Sequence, residues 1–400
     1  MVRRLEARGY HGRLPRHRSG REDRHCPDSF KESLSAADAA RAIERGVKQA
    51  CPGAHTVLVP MADGGEGTVE AVLAATGGQA RQTRVRDALG RDTLAQWGWL
   101  DDATAVIEMA SAAGLEGIAA AQRDPLGADT YGVGQLILAA LDDGARTLIL
   151  GLGGSATTDG GSGMLRALGA RFLDAQGKEI APGGAALQTL ARIDLDGLDA
   201  RLASLDVHVA CDVDNPLCGP QGAAHVFGPQ KGANPQQVAQ LDAALGQLAT
   251  IAHHTLGHDH RDTAGAGAAG GLGFAAHAFL RARFRPGVEL VAERGGLAQA
   301  LQGATLAFTG EGRMDAQTLR GKTPAGVARL AQQAGVPVVA LAGSLGEGYE
   351  ALHPAGITAA FSLLPGSHTL EHALTHASDY LTARARDVMQ LWMAAARRRL

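Results

Sequence analysis

The chain has 400 residues, 45% of them hydrophobic but only 4% aromatic, and a formal net charge of −3. At roughly 100–200 residues per domain this length suggests about two domains, with a core built from Ala, Leu, Val and Ile. The small net charge excludes a general affinity for nucleic acid or anionic membranes, and no run of about 18 apolar residues offers a membrane span.

In chain order, residues 1–26 are rich in Arg with little apolar periodicity and read as disordered. Gly20–Cys26 in particular does not read as a buried strand, and the stretch lacks the apolar core of a secretory signal. From Ser35, with Asp38 in the first turn, Ala39, Ala42, Ile43 and Val47 recur at helical spacing. His55–Val59 is a short strand, Asp63–Gly67 a glycine-rich turn, and Thr68–Ala75 a helix ended by Gly77 and Gly78. Residues 80–109 read as two or three strands, including Gln96–Leu100 and Ala105–Met109. A helix at Tyr131–Leu141 precedes a buried strand at Thr147–Leu150, which feeds Gly151–Gly163 and a helix to Leu168. Leu205–Ala210 is a strand and Gln236–Leu256 a helix. Thr305–Thr309 is a strand, followed by a long loop, a helix at Pro324–Ala334, a strand at Val336–Ala342 and a mostly helical Thr369–Ala395. Strands alternating with helices at both chain ends are the mark of parallel α/β architecture. The expected fold is therefore α/β with two domains. Residues 27–75 and 285–400 form a Rossmann- or flavodoxin-like parallel domain, and 76–284 form an inserted mixed α/β domain.

Glycines cluster where strands give way to helices, the edge at which open α/β sheets bind ligands. In Gly151–Gly161, Gly153 and Gly154 free backbone N–H groups to converge on an anion, while Ser155, Thr157 and Thr158 add hydroxyls and Asp159 a metal-binding carboxylate. A tight turn packed closely on the sheet would need two or three of those glycines anyway. Thr309–Asp315 carries Glu311, Arg313 and Asp315, and Gly321, Lys322 and Thr323 follow it. The Gly-Lys-Thr run fails the P-loop pattern, because Ala316 stands where the first glycine belongs. What survives is a lysine and a threonine at a helix start, with Pro324 suited to the first helical position. Asp63 and Glu66 flank glycines at a third turn, placed to take a proton or hold a metal, though an Asp-Gly turn is common without function. Lys31, with Asp28, Ser29 and Ser33, forms a fourth motif, and Asp212, Asp214 and Asn215 a fifth that lacks calcium-loop spacing. The chain has only five lysines among 38 Lys and Arg, and Lys31, Lys231 and Lys322 lie in Gly- or Pro-marked motifs. A compact ammonium suits phosphate, but a solvated surface role is as common. Cys26, Cys51, Cys211 and Cys218 form no C-x-x-C pair and read as reduced thiols. The small-residue run Gly265–Gly273 reads as close backbone packing, and His253, His254, His258 and His260 as an exposed cluster.

Eight of these segments resemble the type I glycerate kinase family, in that family's order: PDSFKESLSA, VPMADGGEGT, GLGGSATTDGG, CDVDNPLCGP, GPQKGA, GAGAAGGLGF, TGEGRMD and GKTPAGVA. The resemblance covers about residues 27–365. It implies a cytoplasmic enzyme that transfers the γ-phosphoryl group of ATP to D-glycerate with Mg²⁺, 2-phosphoglycerate being favoured. It also implies a cleft between two α/β domains and a place in organic-acid catabolism. On this reading Gly153, Gly154, Ser155, Thr157, Lys322 and Thr323 hold phosphates. Asp63, Asp159 and Asp212 are the catalytic carboxylates, and Asp214 and Asp315 are metal ligands. Ser29, Lys31, Glu311 and Arg313 take the substrate. The expected partners are D-glycerate and ATP, with no nucleic acid or membrane, in a monomer or homodimer. One departure is that Gly20–Cys26 stands where the family has an apolar strand, which raises an alternative: a catalytically impaired, ligand-sensing homologue. A nucleotide-cofactor dehydrogenase is disfavoured, because no G-x-G-x-x-G follows the first strand.

Overall fold

The computed structural model describes residues 22–30, 33–100, 102–319 and 321–397. Its thirteen strands are β1 (Glu22–His25), β2 (His55–Leu58), β3 (Gln79–Arg86), β4 (Asp92–Leu100), β5 (Thr104–Glu108), β6 (Thr147–Gly151), β7 (Arg171–Leu173), β8 (Arg192–Asp194), β9 (Asp206–Ala210), β10 (Arg283–Arg285), β11 (Leu306–Met314), β12 (Val338–Leu345) and β13 (Ile357–Ser362).

One sheet has the order β13-β12-β11-β1-β2, with every neighbouring pair parallel. Counted along the chain this is 2-1-3-4-5, the doubly wound flavodoxin-like order, whose ligands bind at the carboxyl ends of the strands where the order reverses. Here the reversal lies between β1 and β11. The helices Ala36–Ala50 and Ala377–Arg397 cover one face. Ile43, Val47, Leu381 and Met389 are buried there against Phe308 and Leu341. Val72, Val291 and Val327 cover the other face from three further helices. The second sheet, β10-β9-β6-β5-β4-β3, is parallel from β10 to β5 and antiparallel at β4 and β3. The α/β class expected from the alternation of elements is the observed one. Among the described residues no helix is long and apolar enough to cross a membrane.

The expectation of disorder through Cys26 is corrected at its end, residues 1–21 lying outside the described residues. Glu22–His25 is a central strand, in register with His55–Leu58 on one side and with Leu306–Phe308 on the other. Arg24 and His25 of this polar sequence are buried by the elements packed around the strand. The Arg24 guanidinium donates to the Ala300 carbonyl. His25 is fully buried and meets Phe308 edge-on at 5.6 Å. Burial lowers the His25 pKa to about 4, against the opposing pull of Glu44.

The unfolded chain therefore binds a proton at His25 between about pH 6.5 and 4 that the folded chain excludes, so this group's share of stability falls as pH drops through that window. His25→Leu is expected to remove that loss, on the order of 2–3 kcal/mol between pH 7 and 4. Urea unfolding of both chains across that range checks it; equal pH slopes contradict it.

Two further differences concern length. β11 runs to Met314 rather than stopping at Thr309, so Glu311 and Arg313 stand on a strand end instead of in a loop. The run Gly265–Gly273 enters a helix, Ala268–Leu280, whose Ala269, Gly270 and Gly271 have positive φ.

Candidate active site

The carboxyl end of β1 delivers Asp28 and that of β11 delivers Glu311, the two sides of the topological reversal. Asp28 accepts from the Ser29 backbone N–H at 2.6 Å and from the Thr323 hydroxyl at 2.8 Å. Glu311 accepts from the Thr318 hydroxyl at 2.7 Å, and Lys322 donates to it from 3.3 Å. Both carboxylates are nearly buried. They line a cavity of about 490 Å³ with Ser29, Asp63, Arg313 and Lys322, closed on one side by Phe30, Leu363, Leu374 and Tyr380.

A second cavity, of about 440 Å³, opens on the other sheet. Gly153, Gly154 and Ser155 line it after β6, and Asp212 after β9. Asp63, Gly65 and Glu66 belong to both cavities, so the turn after β2 is the shared wall. That turn is braced by an Asp63 carboxylate accepting from the Gly65 N–H at 3.1 Å.

The turns are in contact. A Cβ on Gly153 would lie 2.5 Å from the Gly65 Cα, and one on Gly287 would lie 1.9 Å from the Asp63 carbonyl oxygen. The Gly287 N–H donates to Asp212 at 3.3 Å. Gly321, next to Lys322, comes so near Asp212 that an added Cβ would be 3.1 Å from its carboxylate. Only glycine permits such backbone approach. Gly153→Ala is therefore expected to destabilise the chain by about 1–3 kcal/mol and to lower turnover as well, measured by thermal melting and initial rates; a parent-like rate contradicts the packing described.

The site concentrates negative charge. Burial, then the Asp63 carboxylate, push Asp28 up to about 7 against its hydrogen bonds from Thr323 and Ser29. Asp212 opens on its cavity, yet partial enclosure by protein and again Asp63 raise it to about 7. Burial also raises Glu311, while Thr318 and Lys322 oppose the shift. The shifts of Asp28 and Asp212 mark groups suited to proton exchange near neutral pH.

Of the residues read from the sequence, the structure gathers Ser29, Asp63, Gly153, Gly154, Ser155, Asp212, Glu311, Arg313 and Lys322 on the two cavities. Lys31 lies outside the described residues. Four others line neither cavity. Asp159 is fully buried and lines neither cavity. It accepts from the Thr130 N–H and hydroxyl, the Gly161 N–H and the Gly163 N–H, and so braces the loop. Thr157, in the same loop, is fully buried. Asp315 caps the following turn, accepting from the Gln317 N–H at 2.9 Å and from Arg313. Asp214 is exposed and lines neither cavity. Thr323 reaches the site through its bond to Asp28 instead of facing open space. Asp28, read in the fourth motif beside Ser29, was given no role there, because no strand was expected to lead into it.

Among the described residues no group of three or more His, Cys, Asp or Glu side chains is arranged to hold a metal ion.

Comparison with known proteins gives a consistent result. The model of the Glycerate kinase family matches residues 25–393. The chain is 51% identical over 364 residues to glycerate kinase of Bacillus subtilis (strain 168), covering 91% of this chain and 95% of that protein. It is 48% identical over 364 residues to glycerate 2-kinase of Escherichia coli (strain K12), covering 91% and 96%. A crystal structure of a protein named glycerate kinase 2 from Salmonella typhimurium LT2 superposes with a TM-score of 0.86 at 47% identity, covering 94% of this chain and 100% of that chain.

Proposed function

The chain belongs to the glycerate kinase family, and from that premise we propose that it transfers the γ-phosphoryl group of ATP to the 2-hydroxyl of D-glycerate in the two joined cavities. The observation that carries the proposal is the shared turn at Asp63. On one side of it lie the glycine backbone of Gly153 and Gly154; on the other lie Lys322 and Arg313. Backbone N–H groups and an ammonium suit phosphate, and a guanidinium suits the planar carboxylate of glycerate. Phosphoryl transfer asks a protein for positioning and charge neutralisation more than for covalent chemistry.

In this reading Ser29 and Arg313 orient glycerate by its carboxylate. Asp212 or Asp63 accepts the hydroxyl proton as the oxygen attacks the γ-phosphorus and the bond to the ADP oxygen breaks. Glycine-loop N–H groups and Lys322 face the phosphate oxygens. Magnesium, which would neutralise phosphate charge, fits best as an ion carried in on the nucleotide, because the described residues do not close round a metal and Mg²⁺ keeps phosphate and water ligands. Asp63 and Glu66, at the common wall, are the carboxylates nearest to hand for it.

We take residues 76–284 and the remainder as two domains with the cleft between them, the outer one beginning at β1. A cytoplasmic setting suits the unpaired thiols of Cys26, Cys51, Cys211 and Cys218. The alternative of an impaired sensor rested on a missing first strand, and β1 removes that ground. A coupled assay for ADP release tests the proposal: release is expected to require both ATP and D-glycerate, and phosphorus NMR should identify 2-phosphoglycerate. No glycerate-dependent ADP release overturns it.

A further inference from the structure

Lys231, in the GPQKGA segment, takes no part in the chemistry above, yet its side chain is 1% exposed. Burying an ammonium costs several kcal/mol unless it is well compensated, and an apolar side chain would fill the same space without that penalty. Among the described residues its ammonium has one hydrogen-bond partner, the Thr157 carbonyl oxygen at 2.5 Å. Asp159 is the charged group whose field supports it. Two of its three N–H bonds are thus unanswered by protein, an incomplete compensation.

What it holds is the glycine loop. The Thr157 carbonyl is clasped from the other side by Gly270, where an added Cβ would lie 2.0 Å away, and the Gly160 N–H donates to the Gly270 carbonyl at 3.0 Å. Asp159, beside Thr157, is fixed by its four donors from Thr130, Gly161 and Gly163. The residue before Lys231, Gln230, lines the cavity onto which Gly153, Gly154 and Ser155 open. No Lys or Arg is among the described residues that line that cavity. The loop that walls it is the one whose Thr157 carbonyl the buried ammonium holds.

We propose that Lys231 is a positioning residue for the nucleotide: it fixes the Gly151–Gly161 loop through the Thr157 carbonyl and places a positive charge beneath it for the phosphates. The inference rests on the reading of that loop as the nucleotide's phosphate site. Burial lowers the Lys231 pKa to about 7, with Asp159 opposing, which fits a charge completed by a bound anion.

The test is calorimetric titration of the full chain with ADP, which needs no turnover. Lys231→Met is expected to weaken ADP binding about tenfold and to leave the KM for D-glycerate within about twofold. Unchanged ADP affinity, even with a lowered melting temperature, overturns the proposal, as does a change confined to glycerate. Should the variant not fold, the parent chain answers the question. With five lysines, ¹³Cε labelling allows each to be followed, and the Lys231 titration is expected to move to higher pH on addition of ADP; an unmoved midpoint overturns the proposal. Glycerate-dependent ADP release by the parent chain reports on the kinase reading separately. Its absence sinks that reading, whereas turnover with unaltered ADP affinity in Lys231→Met sinks only the role of Lys231.

Discussion

Asp212→Asn is expected to lower kcat by about 10²–10⁴-fold, the usual contribution of a positioned acid–base group, with no loss of stability relative to the parent. That stability is kept follows from exposure: Asp212 opens onto its cavity, and the hydrogen bond it accepts from the Gly287 N–H is one an amide oxygen also accepts. The large rate change follows from its pKa of about 7, raised by enclosure and by Asp63. A base must be ionised to accept a proton, so the parent's rate should rise with pH through about 7, and the Asn variant should lose the part of that limb owed to Asp212. Stability has the opposite sign. A carboxylate with a raised folded pKa contributes fully below its unfolded value near 3.8 and loses that contribution as pH rises through 7, so the variant should lose less stability than the parent over that window. Rate profiles and urea unfolding from pH 5 to 9 check both signs; near-parent turnover removes Asp212 from the catalytic set.

Lys322→Met is expected to reduce kcat/KM by about 10²–10³-fold, the scale on which loss of one charge-stabilising donor is felt. Lys322 is the N-cap of the helix Thr323–Gln333 and reaches Glu311 at 3.3 Å. Its ammonium does two things there. It offers a point charge to a phosphate oxygen, and it holds the nearly buried Glu311 toward its ionised form against the fields of burial and Asp63. Without it Glu311 should protonate at higher pH, so the variant's remaining activity should depend on pH differently from the parent's. Initial rates across pH with ATP and D-glycerate measure this, and a kcat/KM within threefold of the parent contradicts the assignment.

The glycine turns were legible because their signal is local: Asp63–Gly67, Gly151–Gly161 and Gly321–Lys322 each announce a chain reversal beside polar side chains, and the structure brings them together. What the sequence hid depends on distant partners. Glu22–His25 reads as solvent-loving, and nothing within it reveals that Ala300 accepts from Arg24 or that Phe308 walls in His25. Asp159 reads like Asp63, a carboxylate in a glycine turn, but Thr130, some thirty residues earlier, turns it into an internal brace. Glu311 and Arg313 were read into a loop since Gly310 and Gly312 break the strand pattern, yet β12 pairs with that segment through Leu345. Asp28 gains its unusual proton affinity from burial that no spacing records, and from Asp63, thirty-five positions away.

The most direct measurement is a crystal structure of the chain with a non-hydrolysable ATP analogue, magnesium and D-glycerate together. The account predicts both ligands in the two cavities that meet at Asp63, with phosphate oxygens against Gly153, Gly154 and Lys322 and the glycerate hydroxyl within reach of Asp212 or Asp63. Nucleotide or glycerate bound elsewhere, with that junction holding only solvent, would contradict it.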